Sequence, residues 1–377
     1  MNFRIPFNRP HFTGREPLHV SAVVGSGKIS GNGMMTQKCH GFFESRYGFR
    51  KVLLTSSCTD ALEMAAILCN LKEGNEVIVP SYTFVSSANA FVLRGARIVF
   101  ADSEDLTPNI DASRIESLIT SKTRVIVVVH YAGIACDMDE IMKISRKYDL
   151  LVIEDAAHSF DSYYKSKALG SIGNMSAFSF HETKNITCGE GGMLVVNDEH
   201  FAGRSEIIWE KGTNRAAFYR REVEKYGWVD IGSSFLPSDL TAAFLYGQLE
   251  MAEDIQKKRK EIFNHYAANL SMLEKAGKVK LPGIPEYSSP NGHLFYILTH
   301  DLSERNLLIA HLGKQGIQAV FHYLPLHLSD YYSHHHDGRE LKNAVRYSDT
   351  LLRLPFFYDL TGEMIQEVCE SIASFYG

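Results

Sequence analysis

Residues 176–192, SAFSFHETKNITCGEGG, place an apolar, aromatic run, a single lysine at 184 and a glycine-rich turn ahead of a second apolar run, Met193 to Val196. The layout predicts a lysine presented between two buried strands. Withdrawing an ammonium from water lowers its pKa and frees the neutral amine to attack a carbonyl. Lys184 is therefore the candidate Schiff-base residue. Taken alone, the stretch suits a solvated, inert lysine equally well.

Upstream, LLVIEDAAHS (150–159) is a continuous apolar run ending in two carboxylates, the pattern of a buried parallel strand. Asp155 is thus expected at a strand's C-terminal end, the edge where open α/β sheets bind ligands. The cofactor whose chemistry needs both a lysine imine and a carboxylate against a ring nitrogen is pyridoxal phosphate.

From Lys51 onward, VLLT (52–55), EVIVP (76–80), RIVFAD (97–102) and RVIVVVH (124–130) read as strands. Helical patterns separate them, at about 59–71, 85–94, 110–119 and 138–148. This alternation predicts an α/β fold with a large, mainly parallel sheet covered on both faces. Beyond Pro237 a long helical stretch to about Leu273, then LPGIP (281–285) and a strand-like HLFYIL (293–298), predict a smaller C-terminal α/β domain. The expected division is a cofactor-binding domain over 1–245 and a small domain over 246–377.

The first strand-to-helix junction, TSSCTDALEMAA (55–66), gathers Ser56, Ser57 and Thr59 where a helix begins, so its unpaired amides would suit an anionic phosphate as well as a simple cap. Four strand ends, at Thr55, Pro80, His130 and Asp155, are expected along one edge. Phe84 is a candidate to lie flat on a cofactor ring, and His158, three past Asp155, to orient it. His322, Tyr323 and His327 surround a proline in HYLPLH and are candidates to meet a substrate rich in hydroxyl groups. Residues 25–33, GSGKISGNG, neither follow a strand nor open a periodic helix, which rejects a dinucleotide fingerprint; a mobile loop over a site and a plain surface loop both remain open. The run His334 to His336 is assigned no role.

With net charge −5, 45% hydrophobic and 22% charged residues, the chain reads as an ordinary globular protein with no basic field for nucleic acid or anionic membrane. Lys257 to Lys260 reads as a solvated helix face. The six cysteines lack CxxC spacing, so no metal site or disulfide framework is expected. With no signal-like N-terminus and no membrane-length apolar run, the expectation is a cytoplasmic protein.

Seven stretches in order, SSCTDALEMA, PSYTFVSSANA, GARIVFAD, VVHYAG, IEDAAHS, FSFHETKNITCGEGG and GSSFLPSDLTAAF, resemble the DegT/StrS family of sugar-nucleotide aminotransferases over nearly the whole chain. The resemblance implies the aspartate-aminotransferase fold (fold type I) and pyridoxal 5'-phosphate as cofactor. It implies Lys184 as the Schiff-base residue, Asp155 on the pyridinium nitrogen, Phe84 on the ring, and backbone amides of Cys58 and Thr59 with the Ser179 hydroxyl on the phosphate. His158 and His181 would line the site. A homodimer with shared active sites is also implied, with Ser234 and the loop after Lys184 facing the neighbouring subunit. Ser234 and Leu236 stand where many relatives have Asn and Arg.

Those departures, with HETKN and KGTNR (211–215), look most like the branch acting on dTDP-4-oxo-6-deoxyglucose, of the enterobacterial common antigen type. The implied reaction moves an amino group from L-glutamate to the sugar's C4 ketone, giving dTDP-4-amino-4,6-dideoxyhexose for O-antigen or lipopolysaccharide synthesis. Amination at C3, either C4 epimer, a lysine-less dehydratase relative and a non-catalytic relative of the fold are the alternatives; Lys184 argues against the dehydratase.

Overall fold

The computed structural model describes residues 3–377. Helices α1 (Glu16–Ser26) and α2 (Met34–Tyr47) come first. The chain then alternates through β1 (Val52–Thr55), α3 (Cys58–Leu68), β2 (Glu76–Pro80), α4 (Ser86–Val92), β3 (Arg97–Ala101), α5 (Ala112–Ile115), β4 (Thr123–Val129), α6 (Met138–Tyr148) and β5 (Leu151–Asp155). A short hairpin, β6 (Tyr163–Tyr164) and β7 (Lys167–Ala168), leads into β8 (Met175–Ser179) and β9 (Gly192–Val196).

Seven of these strands form one sheet in the order β1-β9-β8-β5-β4-β2-β3. Its pairs are parallel from β8 to β3, and only β9 runs against its neighbours. Parallel strands need a long crossover, usually a helix, whereas residues 180–191 form no helix and turn the chain back. Because β1 opposes β9, it runs with β8, and Thr55, Asp155 and Ser179 finish on one edge. The strands are buried on both faces, and Val125, Ile126, Val127 and Val128 expose nothing. Each such side chain contributes about 1.5–3 kcal/mol.

The rest of the chain supplies α7 (Ala202–Trp209), α8 (Arg215–Tyr219), α9 (Asp239–Leu249), α10 (Ala252–Lys275), β10 (Ser288–Ser289), β11 (Tyr296–Leu298), α11 (Leu302–Lys314), β12 (Val320–Phe321), α12 (Lys342–Thr350), β13 (Leu351–Arg353) and α13 (Gly362–Tyr376). A second sheet, β11-β13-β12, is antiparallel.

Several expectations are corrected. The helix expected from Pro237 to Leu273 is two, because Met251 leaves helical geometry (φ −110°, ψ 15°). The break serves two cores: α9 packs on α1 and α2, α10 on α13. The helix over 110–119 is only α5 and a 3-10 turn, Glu116–Leu118, since Ile119 turns extended. HLFYIL pairs only over β11, matching a three-residue β13. Arg259 is not on a solvated face: it is buried, donating to Gly292 O (3.1 Å) and His293 O (2.6 Å), and burial pulls its pKa down to about 9.

The glycine-rich stretch 25–33 is exposed over 25–30 and anchored at its end. Gly33 caps α2, and the Asp239 carboxylate takes the amides of Met35 (3.2 Å) and Thr36 (2.8 Å), so close to Gly33 that a Cβ there would collide with it. The N-terminal segment joins the second core. Ile5 pairs with Ile317 and is buried among Ile262, Tyr266 and Ile365, and the expected division at 245 falls inside α9.

Candidate active site

At the end of β1, Ser57 caps α3 by accepting from the Asp60 amide at 3.0 Å. The Cys58 and Thr59 amides, first in the helix, have no intrahelical acceptor and carry the positive end of its dipole. Thr59 Oγ1 bonds Ser86 Oγ at 2.8 Å, and Ser179 ends β8 nearby. Gly192 permits this closeness: a Cβ there would lie 2.5 Å from Cys58 N.

Asp155 ends β5 and is 6% exposed. Its Oδ2 accepts from Ser87 Oγ (2.6 Å) and its Oδ1 from Ala157 N (3.1 Å). Burial raises its pKa against the pull of those bonds, Lys184 and His130. A carboxylate has about four acceptor positions, so two remain for a cationic donor.

Lys184 lies in the β8–β9 connection, its amide on His181 O at 2.9 Å. Burial, with a smaller push from Arg353, lowers its pKa to about 8 although Cys58 and Asp155 raise it. The next residue is tethered: Asn185 Oδ1 meets His293 Nδ1 at 2.7 Å and its Nδ2 donates to Gln256 Oε1 at 2.9 Å. Since an amide oxygen only accepts, His293 carries its proton on Nδ1.

His158 Nδ1 accepts from Ala132 N (3.2 Å), and its ring stacks on His293 at 4.2 Å. Burial pulls both imidazoles well below the usual histidine pKa, so they are neutral. Phe84, 55% exposed, offers an open ring face 6.1 Å from Tyr323.

These groups line one cavity of about 610 Å³. It brings together ten of the residues singled out in the sequence: Cys58, Thr59, Phe84, Asp155, His158, Ser179, His181, Lys184, His322 and Tyr323. His181 sits at its rim, 3.6 Å from Glu190. Two are elsewhere. His327 is buried against Ser81 Oγ (2.6 Å), and burial drops its pKa to about 4, so the expectation that it meets substrate is corrected: it is a packed, neutral core histidine. Ser234 is exposed, bridged to Glu210 outside the cavity wall. Arg353, His293 and Asn185 were missed; Arg353 had a signal, as the lone charge inside LLRLPFF (351–357).

A model of the DegT/DnrJ/EryC1/StrS aminotransferase family matches residues 12–373. The chain belongs to this family. Among family relatives, GDP-perosamine synthase of Escherichia coli O157:H7 is 34% identical over 373 residues, 99% of this chain and 98% of that one. Helicobacter pylori PseC, an aminotransferase of pseudoaminic acid biosynthesis, matches with a TM-score of 0.90 and 25% identity over 100% of this chain and 99% of that one. Spr1654 of Streptococcus pneumoniae, solved in a PLP form, matches with a TM-score of 0.89 and 28% identity over 98% of each chain.

The fold is therefore the aspartate-aminotransferase-like one, and the chain is an aminotransferase with pyridoxal phosphate as cofactor. The cavity fits that group: a lysine of depressed pKa for its aldehyde, a buried carboxylate with spare lone pairs for its ring nitrogen, unpaired amides for its phosphate and an open aromatic face. Among the described residues no helix is long and apolar enough to cross a membrane, and no group of three or more metal-ligating side chains occurs.

Proposed function

We propose that this enzyme moves the amino group of L-glutamate to C4 of the nucleotide-linked keto sugar dTDP-4-oxo-6-deoxy-D-glucose, giving a dTDP-4-amino-4,6-dideoxyhexose for surface polysaccharide synthesis. The observation that carries the reading is the convergence of Lys184, Asp155 and the start of α3 in one cavity. The relative named for GDP-perosamine synthesis supports a nucleotide sugar, although its name carries a different nucleotide.

Pyridoxal phosphate, when bound, supplies a carbonyl that takes up and gives back the amino group and a ring that withdraws electrons from the reacting carbon. In this reading Lys184 anchors the cofactor and then, its pKa lowered to about 8 by burial, moves a proton to and from the reacting carbon. Asp155, held by Ser87 and Ala157, keeps the ring nitrogen protonated. The Cys58 and Thr59 amides and the Ser179 hydroxyl hold the phosphate, Phe84 and His158 fix the ring, and His181, His322 and Tyr323 face the sugar.

The assembly in this reading is a cytoplasmic homodimer, with residues 1–245 carrying the cofactor, apart from the segment around Ile5 that packs on the second core, and 246–377 closing the site. Ser234 serves the neighbouring subunit. The exposure of Trp228 (84%), Tyr219, Val229 and Ile231 near it supports a covered surface there.

Purified protein incubated with pyridoxal phosphate, L-glutamate and dTDP-4-oxo-6-deoxyglucose should yield an amino sugar whose NMR spectrum places nitrogen on C4. Nitrogen on C3, or turnover only with a GDP-linked sugar, would replace the substrate while leaving the transaminase reading.

A further inference from the structure

Two complementary polar atoms in the cavity have no hydrogen-bond partner among the described residues. One is Lys184 Nζ, a donor: Cys58 and Asp155 favour its charged form and Arg353 opposes it, but the Asp155 oxygens turn to Ser87 and Ala157. The other is an acceptor on His293, and a chain of amides fixes which nitrogen it is. Gln256 Nε2 donates to the carbonyls of Phe160 and Asn291 (3.3 Å each), so its Oε1 faces Asn185 and accepts from Asn185 Nδ2 at 2.9 Å. Asn185 Oδ1 is thereby turned to His293 Nδ1, at 2.7 Å, and that nitrogen carries the proton. The lone pair is therefore on Nε2.

His293 is buried and lines the cavity, so the cavity is where its ring meets open space. His158 cannot occupy Nε2, because the two rings stack face to face, 4.2 Å apart with 26° between their planes. Burial first, then His158, Lys184, Arg259 and Arg353, hold the His293 pKa well below the usual range, which keeps the lone pair free at neutral pH. A buried ammonium short of acceptors is costly, and a lysine carries rotatable donors on a flexible four-carbon stem. The imidazole that offers an acceptor is bonded to the residue next in the chain.

We propose that His293 Nε2 is the acceptor that holds the Lys184 ammonium whenever the lysine is not joined to the cofactor, which makes His293 a positioning residue for the reacting lysine; the inference rests on the aminotransferase reading of the same cavity. Gln256 and Asn185 act one step further back. They set the tautomer that leaves Nε2 unprotonated.

The test uses enzyme loaded with pyridoxamine phosphate, in which Lys184 is free. Acetic anhydride acylates only a neutral amine, so mass spectrometry of the peptide bearing Lys184, across pH, reads the lysine pKa. His293→Asn places an amide nitrogen where Nδ1 was and nothing at Nε2, keeping the bond to Asn185. His293→Gln reaches the Nε2 position with an oxygen and gives up that bond. His293→Asn should lower the Lys184 pKa by about one unit, as expected for losing a hydrogen bond to a charged group, and His293→Gln should stay near wild type. An unchanged pKa in His293→Asn would overturn the proposal, and so would an equal fall in both variants, which would make the stacked ring the cause. If the variants do not fold, nitrogen-15 NMR of histidine-labelled wild type carries the test: His293 should be protonated on Nδ1 and its Nε2 resonance should move as Lys184 titrates, whereas a proton on Nε2 or an unmoved resonance would overturn the assignment. Failure of L-glutamate to change the wild-type cofactor spectrum would instead sink the aminotransferase reading itself.

Discussion

Ser87 Oγ donates a 2.6 Å hydrogen bond to Asp155 Oδ2, so a residue of α4 aims the carboxylate that ends β5. Ser87→Ala should leave Asp155 aimed by Ala157 alone and weaken cofactor retention by roughly 1–2 kcal/mol, about tenfold in dissociation constant. Equilibrium dialysis of pyridoxal phosphate measures it. Asp155→Asn should do more, because the amide oxygen still accepts a hydrogen bond but carries no charge to keep the ring nitrogen protonated.

Lys184→Met should abolish amino transfer in a folded protein. It should also change the pH dependence of stability in the cofactor-free protein. Burial lowers the lysine pKa to about 8, so between about pH 8 and 10.5 the unfolded chain binds more protons than the folded one, and wild-type stability rises with pH across that window. Below pH 8 the full cost of burying the ammonium, about 3 kcal/mol at most, remains. Melting curves of wild type and Lys184→Met should therefore differ most at pH 7 and converge toward pH 10.

Gln256→Leu removes the acceptor of Asn185 Nδ2 and the donor to Phe160 O and Asn291 O (3.3 Å each). Buried groups left unpaired cost about 1–3 kcal/mol. Urea denaturation should show that loss, and the cofactor absorbance should titrate differently because the residue beside Lys184 is no longer tethered.

His130 and Glu154 are both fully buried, joined at 3.0 Å. Burial would raise the Glu154 pKa, but His130 and the amides of Gly173 and Gly170 bring it below the ordinary value. Its contribution is therefore present above about pH 4.5 and lost on further acidification. His130 Nδ1 accepts from Cys136 N, so the ring donates to Glu154 through Nε2–H, and His130→Ala should cost about 1–3 kcal/mol by removing that donor from a buried carboxylate, read as a lowered urea midpoint at pH 7.

Much of this was legible because parallel strands buried on both faces write themselves as unbroken apolar runs: β1, β2, β4 and β5 stand within a residue of where VLLT, EVIVP, RVIVVVH and LLVIED placed them. The lysine loop was legible for the same reason, being polar between two such runs. His327 was not, since a histidine's surroundings are set by what packs on it, here Ser81 from 246 residues away. Arg259 was misread because its acceptors, the carbonyls of Gly292 and His293, carry no sequence signature. His293 and Asn185 meet across 108 residues, and nothing local announces such a pair.

Strand β1 sits at the margin of the sheet and pairs only with β9, which the chain makes some 140 residues later. The mouth of α3 hangs from β1 and the lysine loop from β9, so neither half of the site exists without the other. Loops of that length close slowly relative to local structure. Capture of pyridoxal phosphate during synthesis must then wait until Val196 has emerged from the ribosome, and the appearance of cofactor absorbance in a refolding experiment times the completion of the sheet.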